Sequence, residues 1–233
     1  MSRRFAIGDI HGCLKTFRAL VENEIQLKKG DELFLIGDFI DRGPDSKGVL
    51  DYIVSLTGKG YNLRAVRGNH EEMLLESLND ERFLAGWLDN GAESTLNSFG
   101  IDTGLFITMD SVTQINQKYI DLLSNLPYYF ELQDYLIVHA GFNFYMQNSF
   151  NDNNAMVWSR DNQFDAEKSA GRSVIHGHTP VSLDIIKQQV LNPDPGLINI
   201  DGGCVYTNYP DLGNLVALNL DSREIICQRN IEE

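Results

Sequence analysis

Apolar and polar positions in the first 70 residues switch repeatedly between two periods. "RRFAIG" (3–8), "DELFLIG" (31–37) and "YNLRAVRG" (61–68) are short, largely apolar runs that end at glycine, a pattern suited to buried strands. Between them the spacing turns helical. "LKTFRALVENEI" (14–25) places Leu14, Phe17, Leu20, Val21 and Ile25 on one stripe, and "SKGVLDYIVSL" (46–56) does the same with Val49, Leu50, Ile53, Val54 and Leu56. "HEEMLLESL" (70–78) opens a third helix. A β-α-β-α-β-α order predicts a parallel sheet with right-handed crossovers.

The second half reads differently. Residues 80–127 are helical and irregular, with "GWLDNGAEST" in the middle. After Leu126 and Pro127, six segments read as strands: "YLIVHAG" (135–141), "SVIHGH" (173–178), "DIIKQQVL" (184–191), "GLINIDGG" (196–203), "NLVALNL" (214–220) and "EIICQR" (224–229). The expectation is one α/β domain over 1–233, with two packed sheets flanked by helices. Residues 80–127 are expected to form a helical cap or rim over one edge of the sandwich, lined by Trp87, Asn90 and Glu93, with packing in the core the alternative for Trp87.

Composition narrows the function. The chain has 233 residues, 42% of them hydrophobic, enough for a sizeable core. A formal net charge of -14 argues against a nucleic-acid surface, which needs clustered Lys and Arg. Cys13, Cys204 and Cys227 are widely spaced and form no C-x-x-C pair, so neither a zinc knuckle nor a disulfide framework is indicated. Cys13 reads as a small helix-entry residue. Arg3 and Arg4 precede only Phe5 to Ile7 before Gly8 and Asp9, too short a stretch for the apolar core of an export signal. No run reaches membrane-spanning length. A cytoplasmic protein with no membrane partner is expected.

Chemistry concentrates where the strands stop. The first three end in Gly8-Asp9-Ile10-His11-Gly12, Gly37-Asp38-Phe39-Ile40-Asp41-Arg42-Gly43 and Gly68-Asn69-His70-Glu71. Later strands add His139 in "VHAG" and His176 and His178 in "IHGHTP". The carboxyl ends of parallel strands share one edge, so these residues should meet. Carboxylate, imidazole and amide oxygen without thiolate suit divalent ions such as Mn²⁺, Fe²⁺ or Zn²⁺. There are too many ligands for one ion, and a two-metal site with a bridging carboxylate fits.

"GDIHG", "GDFIDRG", "GNHE", "VHAG" and "HGHTP" together resemble the signature of the metal-dependent phosphoprotein phosphatases, within the calcineurin-like metallophosphoesterases; "RAVRGNHEEM" and "VWSR" are similar to the small bacterial and phage-type branch. The resemblance spans nearly the whole chain. It implies a four-layer α/β/β/α sandwich. It also implies two metals, with Asp9 and His11 on the first, Asp38 bridging, and Asn69, His139 and His178 on the second. Arg42 and Arg160 would bind substrate phosphate, with Arg172 near enough to Arg160 to compete for that role. His70 would be the general acid, oriented by Asp41, and His176 would support the site.

The function implied is a Ser/Thr protein phosphatase acting on phosphorylated proteins or peptides, by direct attack of a hydroxide held between the metals. A cysteine phosphatase needs C-x₅-R, and Cys13, Cys204 and Cys227 are followed at that spacing by Ala19, Pro210 and Glu233. Dinucleoside polyphosphate hydrolases of the same fold are the alternative. They usually carry GNHD and lack the second Asp of "GDxxDRG", whereas this chain has Glu71 and Asp41. A phosphoprotein-binding module without catalysis would lack a ligand, and no ligand is missing.

Overall fold

The computed structural model describes residues 2–104, 106–160 and 163–232. Among the described residues, nine strands form two sheets. The first has five strands in the order β3-β2-β1-β8-β9, with β1 Arg4–Ile7, β2 Glu32–Leu35, β3 Asn62–Ala65, β8 Asn214–Asn219 and β9 Ile225–Arg229. The second runs β4-β5-β6-β7, with β4 Tyr129–Glu131, β5 Tyr135–Val138, β6 Ser173–His176 and β7 Leu197–Asn199. Strands β1, β2 and β3 are parallel, as are β5, β6 and β7, while β4, β8 and β9 pair antiparallel.

The two-residue period of the strands sorts their side chains between layers. From β1, Phe5 and Ile7 point to the outer helices and Ala6 into the space between the sheets; from β2, Leu33 and Leu35 point out and Phe34 in. In the second sheet Ile137 and Ile175 face the first, and Leu136, Val138 and Val174 pack outward on Phe142, Phe144 and Met156. Apolar residues on both faces of a strand require cover on both sides. The helices supply it, giving two mixed sheets flanked by helices.

On the first sheet's outer face lie α1 Leu14–Ala19, α2 Ser46–Gly58 and α3 Asn69–Ser77, and α1 runs on into a π-helical turn at Leu20–Glu24. Residues 80–127 contribute α4 Glu81–Leu88, α5 Ala92–Ser98, α6 Met109–Val112 and α7 Gln117–Ser124. Leu84, Trp87, Leu96, Val112, Tyr119 and Leu123 from this segment belong to the same buried cluster as Phe5 and Leu33. The segment is therefore built into the helical layer, and around the corner between α4 and α5 it reaches the sheet edge where the predicted ligands lie, with Trp87 and Thr95 bonded to Asp41. α8 Asn153–Trp158 and α9 Leu183–Leu191 complete the set.

Residues 184–191 are not the strand that the sequence suggests: they form α9. Ser182 Oγ accepts the Ile185 N–H at the helix start, and Ile186 and Val190, four residues apart, are buried, while Ile185 and Leu191 are exposed. Four apolar residues in eight fit a strand as well as a helix, and the N-cap decides for the helix. The later strands also do not all join the second sheet. After β7 the chain returns to the first sheet, where β8 pairs antiparallel with β1. The short edge strand β4 follows Pro127 and carries only three residues.

Candidate functional site

The loops at the carboxyl ends of β1, β2, β3, β5, β6 and β7 converge, and the predicted residues meet there. Eight non-glycine residues among those described have a positive φ, and five of them are His11 (46°), Asp38 (52°), Asp41 (71°), Arg42 (70°) and His178 (71°). Left-handed backbone disfavours residues with a Cβ, so its concentration here marks loops bent to aim side chains at one point. Two glycines make room. A Cβ on Gly68 would lie 2.2 Å from Asp38 Oδ1, and one on Gly177 would lie 2.2 Å from Asp9 Oδ1.

Asp38 is central. His11 Nε2 is 3.6 Å and His70 Nε2 3.9 Å from its Oδ2, and His139 Nε2 is 3.4 Å from its Oδ1. Two overlapping groups result: His11, Asp38 and His70, and Asp38, His139 and His178, each with its donor atoms within 4.8 Å of one another. Asn69 Oδ1 joins the second group, 3.0 Å from His139 Nε2 and 2.9 Å from His178 Nδ1. His11 and His139 each use Nδ1 to donate to a backbone carbonyl, of Ile40 at 3.0 Å and of Ile36 at 2.9 Å. That fixes the tautomer and leaves Nε2 as a lone-pair donor facing inward, the usual support of a metal-binding imidazole.

The residues present fit two cations. Asp9 Oδ1 and His178 Nε2 are buried without a hydrogen-bond partner. Burial, with Asp201 and Asp38 nearby, pushes Asp9 well above the usual carboxylate range, and Asp201 is pushed up to about 7 by burial and by Asp38. Both shifts report a site with more negative charge than it can neutralise. Arg42 partly answers the demand, donating from Nη1 to His11 Nε2 at 2.7 Å. Burial opposes ionisation of Asp38, but the surrounding histidines outweigh it and hold its carboxyl below the usual range.

The five histidines separate into two kinds. Burial lowers His11, His139, His176 (to about 4) and His178 (to about 3), which keeps these rings neutral. His70 alone is raised: burial opposes its charge, but Asp38 and Asp41 outweigh burial. Its Nδ1–H donates to Asp41 Oδ2 at 2.6 Å, and its Nε2 is buried without a partner, facing the site. Asp41 is held in turn by Trp87 Nε1–H at 2.7 Å on Oδ2 and Thr95 Oγ1–H at 2.5 Å on Oδ1. A fully buried carboxylate with three side-chain partners is a fixed anchor for the imidazole.

Several of these supports escaped the sequence reading. Thr95 and Ser46 bracket the Asp41 backbone N–H at 2.9 and 3.0 Å. Glu71 accepts the N–H groups of Asp38 and Gly68 at 2.9 Å each and of Phe39 at 2.8 Å, binding the second and third loops together. Burial and the charge of Asp38 raise Glu71 to about 7. The signal for Glu71 was its place in "GNHE"; Thr95, 54 residues from Asp41, gave none. Trp87 is buried, so it packs and anchors rather than lines a rim. Asn90 lies at the cleft beside Arg42, and Glu93 is exposed on α5.

Of the two predicted phosphate-binding arginines, Arg42 stands against His11, and its guanidinium carbon lies 5.6 Å from the centre of the Tyr206 ring. Arg160 is exposed beyond α8, close enough for its charge to act on His178. Arg172 is committed elsewhere, to Glu131 at 2.7 Å and the Ser169 carbonyl at 2.9 Å. His176 is buried behind the site, with Nδ1 3.3 Å from the Gly177 carbonyl, and belongs to neither donor group.

A two-sheet sandwich whose strand ends gather histidines and aspartates positioned for two metals defines a metallophosphoesterase. Residues 3–219 match the calcineurin-like phosphoesterase family, and the chain belongs to it. Among its relatives, an asymmetrical bis(5'-nucleosyl)-tetraphosphatase of Anoxybacillus flavithermus is 29% identical over 249 aligned positions, covering 94% of this chain and 91% of that protein. Serine/threonine-protein phosphatase 1 of Salmonella typhimurium is 29% identical over 185, covering 76% of this chain and 78% of that protein. A protein serine/threonine phosphatase from Saccharomyces cerevisiae superposes on all of this chain and 81% of its own with a TM-score of 0.64 at 14% identity, a likeness of fold. No helix among the described residues is long and apolar enough to cross a membrane.

Proposed function

We propose that the chain is a metal-dependent phosphomonoesterase that hydrolyses phosphoserine and phosphothreonine in proteins. The observation that carries this reading is the His70–Asp41 pair, in which His70 Nδ1–H donates to a buried carboxylate at 2.6 Å and His70, alone of the five histidines, is shifted toward its imidazolium form. An alkoxide leaving from phosphoserine is strongly basic and needs a proton in the transition state, which such an imidazolium supplies from Nε2. Asp9, His11, Asp38, Asn69, His139 and His178 would hold two divalent ions, Mn²⁺ being the expected pair and Fe or Zn the substitutes. When bound, the ions supply an activated water and neutralise charge on the phosphoryl oxygens. Arg42 and Arg160 orient the phosphate by charge-assisted hydrogen bonds from their planar forks. Asp41 orients the ring through Nδ1–H and favours the protonated form, so that the second N–H, on Nε2, is the one available to the leaving oxygen.

A second reading, hydrolysis of dinucleoside polyphosphates, is supported by the Anoxybacillus relative, which aligns over nearly the whole chain. There the leaving group is a phosphate, already weakly basic, and a proton donor matters less. Assaying the metal-loaded protein on phosphoserine peptides and on diadenosine tetraphosphate side by side separates the two. The proposal requires the higher kcat/KM on the peptides. A clear preference for diadenosine tetraphosphate would overturn it.

A further inference from the structure

Beside Arg42 the site opens into a cleft of about 410 Å³ lined by Arg42, Asp89, Asn90, Gly91, Val205 and Tyr206. Its lining carries both signs of charge. The Arg42 guanidinium faces His11 and lies over the Tyr206 ring. Asp89 is exposed, and its carboxylate has no ion-pair or hydrogen-bond partner among the described residues. Asp89 also caps the carboxyl end of α4. An acid there meets the negative end of the helix dipole, so helix stability does not account for it. The α4 terminus and Asp89 add negative potential to a cleft that also holds the residue expected to take phosphate.

We propose that this cleft is a subsite for the residue adjacent to the phosphoserine or phosphothreonine, and that Asp89 makes it selective for a basic side chain there. The inference rests on the phosphoprotein reading of the site. Consecutive residues of an extended peptide are about 3.5 Å apart, so a neighbour of a phosphoresidue held at Arg42 enters the cleft directly. A Lys or Arg then has Asp89 to pair with and the Tyr206 ring to lie against, whereas a Glu meets an uncompensated carboxylate. An exposed ion pair is worth up to about a fivefold preference, less at high salt.

The test is kcat/KM on phosphoserine peptides that carry Lys, Ala or Glu immediately before or after the phosphoresidue. For the wild-type protein, Lys should be preferred over Glu by about three- to fivefold at one of the two positions, and the preference should shrink when salt rises from roughly 50 to 500 mM. Asp89→Asn should abolish the preference and Asp89→Lys reverse it, in proteins whose melting temperature matches the wild type. An order of preference that survives Asp89→Lys, or the absence of any charge preference among peptides that are hydrolysed, overturns the subsite. If no phosphopeptide is hydrolysed while diadenosine tetraphosphate is, the phosphoprotein reading falls, and the subsite with it.

Discussion

At the scale of single residues, the site divides between groups positioned to hold cations and one, His70, proposed to hold a proton. His139 and His70 both lie within 4 Å of Asp38, so position alone does not assign them; their environments do. His139 turns Nδ1 to a carbonyl and its pKa is lowered by burial, and His70 turns Nδ1 to Asp41 and its pKa is raised by Asp38 and Asp41 against burial. General acid catalysis is worth about 10²–10⁴-fold. His70→Asn should therefore slow phosphoserine hydrolysis by about that factor, and slow p-nitrophenyl phosphate hydrolysis much less, because nitrophenolate leaves without a proton. Asp41→Asn should act in the same direction and more weakly. The double variant should lose less than the product of the two, since residues that act as a unit are not additive. Steady-state rates on both substrates, with metal content measured in parallel, check this. Equal, multiplicative losses on both substrates would make His70 a packing residue.

Asp9, His11, Asp38, Asn69, His70, His139 and His178 were legible because each stands at a fixed offset from a glycine-bounded strand end. The groups that hold Asp41 were not. Thr95 and Trp87 come from α5 and α4, and no local pattern ties a threonine or tryptophan to a carboxylate some 50 residues earlier.

At the scale of elements, the loops depend on tight contacts between neighbouring strands. Gly68 is the clearest case: any Cβ there collides with the Asp38 backbone N–H, 2.5 Å away, as well as with its carboxylate. Overpacking of a rigid site costs typically about 1–3 kcal/mol. Gly68→Ala should lower stability by about that much in urea unfolding, and should weaken metal binding in a direct titration, because the displaced group is Asp38.

The start of β1 is tied to the start of β2 by Arg3, whose Nη2 donates to Asp31 Oδ2 at 2.6 Å and whose backbone N–H donates to Oδ1 at 3.1 Å. Asp31 is buried, which opposes its charge, but Arg3 and the Lys28 N–H outweigh burial and lower its pKa. A carboxylate with a lowered folded pKa stabilises the fold above its unfolded value of about 3.9 and loses that contribution as pH falls through the folded value. Asp31→Asn should therefore be less stable than the wild type by about 1–2 kcal/mol at pH 7. Urea unfolding of the metal-free proteins should show the difference narrowing below about pH 4. A constant gap from pH 7 to pH 3 would contradict the pairing.

Element type was legible wherever the period was long and capped, as in α2, whose first turn is capped by Asp45 accepting the Gly48 N–H. It failed at α9, where β-branched residues masked the Ser182 cap and the four-residue spacing of Ile186 and Val190. Strand order was not legible at all: nothing in "NLVALNL" says that β8 pairs with β1 rather than with β7.

At the scale of the molecule, the sandwich brings six loops from two sheets to one edge, and neither sheet alone carries all the proposed ligands. Asp9 and His11 follow β1, Asp38 follows β2 and Asn69 follows β3, all from the first sheet, while His139 and His178 come from the second. The two sheets close on each other through Phe34, Ile36, Ile137 and Ile175. Metal binding should therefore stabilise the packing of one sheet on the other. The melting temperature should rise with Mn²⁺ concentration in the wild type and much less in Asp38→Asn, which removes a charge shared by both donor groups. The net charge of -14 is compatible with this chemistry because the few cations that matter are local: Arg42 stands at the site and Arg160 at its margin.

The central claim is that two cations, shared through Asp38, are required for phosphoester hydrolysis. It is tested most directly by adding Mn²⁺ stepwise to metal-free protein and measuring p-nitrophenyl phosphate hydrolysis against ions bound per chain. Activity should stay near zero up to one ion, rise between one and two, and level off at two. Full activity in the metal-free protein, or a plateau at a single ion, would contradict the account.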